Sequence, residues 1–159
     1  MPHNILTALL TGFVLFFFSG CTAQTPDLES EKATLLALHQ NVLQAHLDSD
    51  VEQWMQLEAA EYISANGGAI TFPSYSDRQE RRKNYLEQTT FSSYRDLKDP
   101  VVSVSADGTL GWLIAEVEAI GVQNTTQDSI HAIWAWIELY KKTDGEWKQV
   151  GNVSNSRPD

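Results

Sequence analysis

Hydrophobic spacing divides the chain into a helical front half and a β-rich back half. From residue 30 to residue 47, Leu35, Leu36, Leu38, Val42, Leu43 and Leu47 recur at the three- and four-residue intervals of one helix face, with Ser30 placed to cap the start. Asp48-Ser49-Asp50 interrupts that period. Asp50 with Gln53 then has the form of a capping pair for a second, shorter helix through Leu57, buried on its Trp54 and Leu57 side. Residues 62–66 and 69–72 flank Gly67-Gly68 and predict a small hairpin ended by Pro73. Residues 76–88 predict a third helix, in which Arg78, Arg81, Arg82 and Lys83 mix with Asp77, Glu80 and Glu87. That mixture reads as a solvated face, with Tyr85 and Leu86 turned to the core. A cationic edge for an acidic ligand is the alternative reading of the same arginines.

Beyond residue 90 the period shortens to that of strands. Residues 91–104 begin a sheet, with Pro100 marking a bulge or an edge. Ala106-Asp107-Gly108 turns the chain into three long segments, 109–122, 129–142 and 146–155, and Asp144-Gly145 between the last two is a strong hairpin signal. The expectation is an antiparallel meander with the polar tail 156–159 frayed beyond it.

Alternation sorts each strand into two faces. His131, Ile133, Ala135, Ile137 and Leu139 share one face of the central strand and are grouped with Leu113, Ala115, Val117 and Ala119 of the strand before it. Trp134, Trp136, Glu138 and Tyr140 share the other, grouped with Trp112, Glu116 and Glu118. The first face suits covering by helices. The second, an apolar patch of tryptophans, predicts a homodimer interface at Trp112, Trp134, Trp136 and Glu138. On this grouping Glu116, Glu118 and Glu138 are rim carboxylates near water rather than a catalytic cluster.

His39, Val42 and His46 fall on one stripe of the first helix. Two histidines seven residues apart lie about 10 Å apart along a helix, too far to share one metal ion. They read as buried, hydrogen-bonded histidines, with acid–base work as the alternative, and neither a metal nor a cofactor is expected.

Residues 1–20 contain no Lys, Arg, Asp or Glu and hold a mostly apolar run from Ile5 to Phe18. A membrane span needs roughly 18 or more such residues, so the run reads as a signal-peptide core. Phe18-Ser19-Gly20-Cys21 resembles a bacterial lipobox, which implies cleavage before Cys21 and lipidation of its thiol. An ordinary secretory signal is the alternative. The predicted organisation is a signal peptide at 1–20, a tether at 21–29, one domain at 30–155 and the tail. Cys21 is the only cysteine, so internal disulfides are excluded.

With 21 acidic against 11 basic residues the formal net charge is -10. That disfavours nucleic acid and anionic lipid surfaces, and leaves acyl chains as the expected membrane attachment, facing the periplasm and preferring the outer membrane.

The order helix, helix, hairpin, helix and long sheet is similar to the nuclear transport factor 2-like superfamily of SnoaL-type cyclases and ketosteroid isomerase. The ending 135–142, Ala-Trp-Ile-Glu-Leu-Tyr-Lys-Lys, then Asp144-Gly145-Glu146-Trp147-Lys148 and Val150-Gly151-Asn152-Val153-Ser154, resembles that of its small bacterial members. The resemblance implies an α+β cone, with N-terminal helices packed on a curved antiparallel sheet and a pocket at the cone's mouth. It implies ligand contact by His39, Val42, His46, Tyr62, Asn66, His131 and Ile133. It also places the three catalytic roles of ketosteroid isomerase at Asn66, Val42 and Ile137, none of which can perform them. The expected function is therefore non-catalytic binding of a small, largely apolar molecule. A SnoaL-like cyclase, hydratase or isomerase using His39, His46 or His131 is the alternative, and docking of a partner chain on the Trp face a third.

Overall fold

A computed structural model describes residues 25–157. The expected signal peptide and Cys21 lie outside the described residues, among which no helix is long and apolar enough to cross a membrane. The first helix, α1 (Leu28–Leu47), begins earlier than Ser30 because Asp27 is its cap, its carboxylate accepting from the Ser30 amide at 3.2 Å. The ordered domain reaches back to Pro26, which packs against the turn at Gly108. A short α2 (Val51–Gln56) follows, capped by Asp50 accepting from the Gln53 amide at 2.9 Å. Next come β1 (Glu58–Asn66), β2 (Ala69–Thr71) and α3 (Tyr75–Gln88), whose cap Ser74 forms a reciprocal box with Asp77.

The sheet is completed by β3 (Thr89–Asp96), β4 (Val101–Val104), β5 (Leu110–Gln123), β6 (Ser129–Thr143) and β7 (Glu146–Arg157). Its order is β2-β1-β7-β6-β5-β3, with β4 also paired to β5, and β1 runs parallel to β7. Asp144 and Gly145 both take positive φ, 53° and 84°, as a two-residue turn of primed type requires. The polar tail is not frayed as far as Arg157, which pairs with Ile133.

Curvature comes from bulges in three pairings, at Phe91/Ser93 of β3, between Leu139 and Tyr140 of β6, and between Glu58 and Ile63 of β1. The helices fill the concave side: Leu35, Leu43, Leu86, Leu113 and Val117 belong to one buried cluster. Two polar ties fasten α1 to the sheet. Near its start, Glu31 accepts from Lys142 Nζ and Trp147 Nε1, each at 2.6 Å. Midway, His39 meets Glu138.

The grouping of the two strands' faces differs from the expectation. Val122 pairs with Ser129 and Leu113 with Glu138, so odd positions of β5 share a face with even positions of β6. Trp134, Trp136, Glu138 and Tyr140 therefore join Leu113, Ala115 and Val117 on the concave side, and His131, Ile133 and Ile137 join Trp112 and Ile114 on the outer side. Alternation sorts each strand correctly alone; the loop between them sets which halves meet.

Leu35 is fully buried and its Cδ1 fills the space over Gly111. Leu35→Ala should destabilise the fold by about 2–5 kcal/mol, read as a lower urea midpoint at unchanged slope.

Candidate functional site

The concave side closes around a cavity of about 290 Å3 between β1, β6, β7 and the three helices. Its buried end is aromatic. His46 stacks on Tyr94 with centroids 4.0 Å apart and lies 4.1 Å from Trp54, while Tyr62, Tyr85, Trp134 and Trp136 complete the wall. Its open end is marked by the exposed lining residues Asn66 and Arg81.

Glu138, 2 % exposed, is the one carboxylate in the lining. Behind it, His39 Nδ1 lies 3.2 Å from each of its oxygens, and Tyr140 donates to Oε2 at 2.7 Å. His39 Nε2 in turn lies 2.9 Å from Asp96 on β3. An imidazole with a carboxylate at each nitrogen donates to both only as the cation. Burial alone would lower the His39 pKa, but the hydrogen bonds and charges of Glu138 and Asp96 outweigh it and hold the ring above its ordinary value. Burial, reinforced by the Glu138 charge, pushes the Tyr140 phenol well up, so it stays a donor. The buried carboxylate is thereby matched by one cation and one hydroxyl.

His46 is the opposite case. Its Nδ1 donates to its own helix at the Val42 carbonyl, 2.7 Å away, and burial pushes its pKa down to about 4. It is a neutral aromatic wall at physiological pH. Trp136 Nε1 is the one buried side-chain nitrogen or oxygen among the described residues without a hydrogen-bond partner. It belongs to the cavity lining, two residues along the strand from Glu138.

The third helix supplies the rim. Arg78, Arg81 and Arg82 all line the cavity. Arg78, 1 % exposed, donates to Glu58 at 2.8 Å and to the carbonyls of Pro73 and Ala59 at 2.8 and 2.5 Å. Arg82 also bonds Glu58 and covers the Trp54 ring at 4.2 Å.

Of the residues singled out in the sequence, Val42, His46, Tyr62 and Asn66 line the cavity. His39 does not; it stands behind Glu138. His131 and Ile133 lie on the outer face, where the exposed His131 bonds Glu118 at 3.1 Å. Trp134, Trp136 and Glu138, expected at a dimer interface, line the cavity instead, and of that group Trp112 alone stays outside, 38 % exposed. Ile137, assigned an empty catalytic role, points outward; its neighbour Glu138 is the strand's pocket-facing carboxylate. The sequence offers the rim arginines only as an alternative, a cationic edge for an acidic ligand, because α3 looks uniformly polar. Their signal is nonetheless present: Arg78 and Arg82 precede the buried Leu86 at successive intervals of four, on the inward stripe.

No protein-family profile matches the chain, and no curated protein matches it in sequence. Solved structures match its fold. A nuclear transport factor 2-like superfamily protein from Salmonella enterica superposes with a TM-score of 0.71 at 13% identity, covering 82% of this chain and 94% of that one. A ketosteroid isomerase-like protein from Erwinia carotovora gives 0.67 at 15%, covering 81% and 98%. A type 2 hexachlorocyclohexane dehydrochlorinase (LinA) gives 0.67 at 14%, covering 82% and 87%.

The two buried histidines predict opposite pH limbs. A folded pKa above the unfolded one makes the His39 contribution complete below its ordinary value of 6.5 and lost as pH rises through the raised value. A depressed pKa makes the His46 contribution complete above 6.5 and lost as pH falls toward about 4, to the extent of roughly 3 kcal/mol. Urea unfolding between pH 4 and 8 should therefore show a maximum near neutrality, and His46→Phe, which keeps the ring stack, should flatten the acid limb alone. An acid limb unchanged in that variant would assign it to other groups.

Proposed function

We propose that this chain, folded as a nuclear transport factor 2-like cone, binds a small, largely apolar molecule in its cavity without turning it over. We also propose that a lipidated Cys21 holds it at the bacterial envelope, facing the periplasm. The observation that carries the binding reading is the cavity of about 290 Å3 itself, lined by the rings of His46, Trp54, Tyr62, Tyr94, Trp134 and Trp136 with a few polar side chains among them. A largely apolar cavity with a few convergent polar groups is the usual form of a small-molecule site. Absence of turnover is supported by the histidines. His46, pushed down to about 4, is a weak base at neutral pH, and the His39 cation is clamped between two carboxylates.

Fluorescence enhancement of N-phenyl-1-naphthylamine tests the binding reading. The protein should saturate with this probe at micromolar concentration, and Ser154→Trp, which places a ring in the cavity from the less crowded β7, should abolish it while circular dichroism is unchanged. Saturation that survives Ser154→Trp would place the probe elsewhere and sink the reading.

Glu138 favours a second reading, acid–base catalysis, in a different form from the histidine mechanism expected from sequence. Here the carboxylate takes a proton from a bound carbon acid, leaving the conjugate enolate in the cavity. Two of the proteins sharing the fold are named as isomerase-like and as a dehydrochlorinase, which keeps such chemistry in view. Exchange of the α-protons of 2-tetralone in D2O, followed by proton NMR, separates the readings. The binding reading expects the buffer rate, whereas an acceleration lost in Glu138→Gln would replace it with catalysis.

The expected homodimer is also retained as a proposal, on corrected residues. Val101, Ile114, Ile137, Val153, Ala65 and Ile70 are successive register partners across the outer face. Of these, Val101, Ile114, Val153 and Ile70 are 58, 41, 42 and 70 % exposed. The row is flanked by charges of both signs, Lys98 with Glu116 and Arg95 with Glu118, so a twofold copy can match them despite the net charge of -10. Sedimentation should give a dimer for the chain and a monomer for Ile114→Lys; a monomer for both at high micromolar concentration would overturn it.

A further inference from the structure

We infer that the molecule bound in the cavity is an anion: an aromatic or alicyclic body carrying a carboxylate or similar oxyanion, received at the mouth by Arg81 and Arg82. The inference rests on the binding reading above and adds the ligand's charge and orientation.

It starts from an imbalance. Three arginines line the cavity, and the carboxylates lining or bridging it are Glu58, shared by Arg78 and Arg82, and Glu138, already matched by the His39 cation. The rim therefore carries an excess of positive charge on a chain whose net charge is -10. The other acids of the same helix half, Asp77 and Glu80, are exposed and absent from the lining, and Asp77 is engaged in the helix cap.

The arginines differ in what they have left to offer. Arg78 is buried, with its donors on Glu58 and on loop and strand carbonyls, and serves as structure. Arg82 is held flat on Trp54 and oriented by Glu58. Arg81 has one contact, its Nε to the Asp77 carbonyl of its own helix at 3.3 Å, and forms no ion pair among the described residues. Its terminal nitrogens are a planar fork of the kind that meets an oxyanion with two parallel bonds. An apolar molecule without charge would need none of this, and a row of methylene-rich side chains would close the cone more cheaply. A cation would meet the arginines with like charge.

The arrangement also fixes direction. The buried rings of His46 and Tyr94 occupy the inner end and the exposed Arg81 the open one, so the apolar body enters first and the anion stays at the mouth, where part of its hydration is kept. Such attraction is long-ranged and screened by salt.

The test compares 2-naphthoate with its neutral near-isostere 2-naphthamide by calorimetry, on the full chain and on Arg81→Gln, a change at an exposed position with one local contact. The chain should prefer the naphthoate by about tenfold or more at low salt, the scale of one charge-assisted pair, with the preference shrinking as salt is raised. Arg81→Gln should lose most of the preference while binding the amide as before. Equal affinities for the two probes, or a preference untouched in Arg81→Gln, would overturn the inference and leave the cavity reading standing. Failure of both probes to bind would fall on the cavity reading itself and take the inference with it.

Discussion

A carboxylate removed from water in the middle of a sheet costs several kcal/mol unless a partner and further hydrogen bonds compensate it, and Glu138 is in that position. The compensation comes from α1, through His39, and from its own strand, through Tyr140. The pairing therefore does more than satisfy one side chain. It fixes the distance and rotation of the main helix over the centre of the sheet, and through Asp96 it includes β3 as well. A one-residue slip of β6 against β5 would put Glu138 on the outer face and Ile137 under His39. The buried charge thus acts as a register pin that apolar packing alone, tolerant of exchange among Ile, Val and Leu, would not supply.

At the opposite wall Glu58 plays the reciprocal part. It is a buried acid at the start of β1 that draws Arg78 and Arg82 of α3 onto the hairpin. The cavity lies between these two polar anchors. Curvature brings them to face each other, since bulges in three strand pairings bend the sheet. Gly121 and Gly151 remove the side chain where neighbouring backbones crowd: a Cβ would stand 2.4 Å from the Thr90 carbonyl oxygen and 2.6 Å from that of Ile63.

Element order, hairpin turns and fold class were legible in the sequence because each rests on local chemistry: the period of α1, the Asp50 cap, the Gly67-Gly68 and Asp144-Gly145 turns. Half of the candidate site was legible for the same reason, as Val42 and His46 share a helix stripe and Tyr62 and Asn66 a hairpin. The other half depended on relations between elements. Alternation places Trp134, Trp136 and Glu138 together, but only the pairing of Val122 with Ser129 across the 123–128 loop decides which face of β5 they join, and that parity is not written in either strand. His39 was legible as a buried, bonded histidine, whereas its partners Glu138 and Asp96 lie 99 and 57 residues away. Arg78 misled for a different reason. A charged residue at an inward helical position is discounted as surface unless its buried counter-ion is known, and Glu58 falls between the expected second helix and the expected hairpin, where nothing marks it as buried.

The two anchors also bear on why the cone stays open. Aromatic walls lacking a filling side chain tend to close, because atoms that face a gap have no neighbours there to supply dispersion attraction. Closure here would move α3 toward β6, and the rings of Trp54 and Tyr62, already capped by the Arg82 and Arg78 guanidinium groups at 4.2 and 4.7 Å, stand between them. Displacing those guanidiniums would uncover Glu58; displacing α1 would uncover Glu138. Either movement leaves a buried charge unpaired, at about 3–5 kcal/mol, a cost that opposes closure. The same ion pairs that fix the helices thus hold a preformed space with aromatic rings in its walls and the Arg81 guanidinium at its rim.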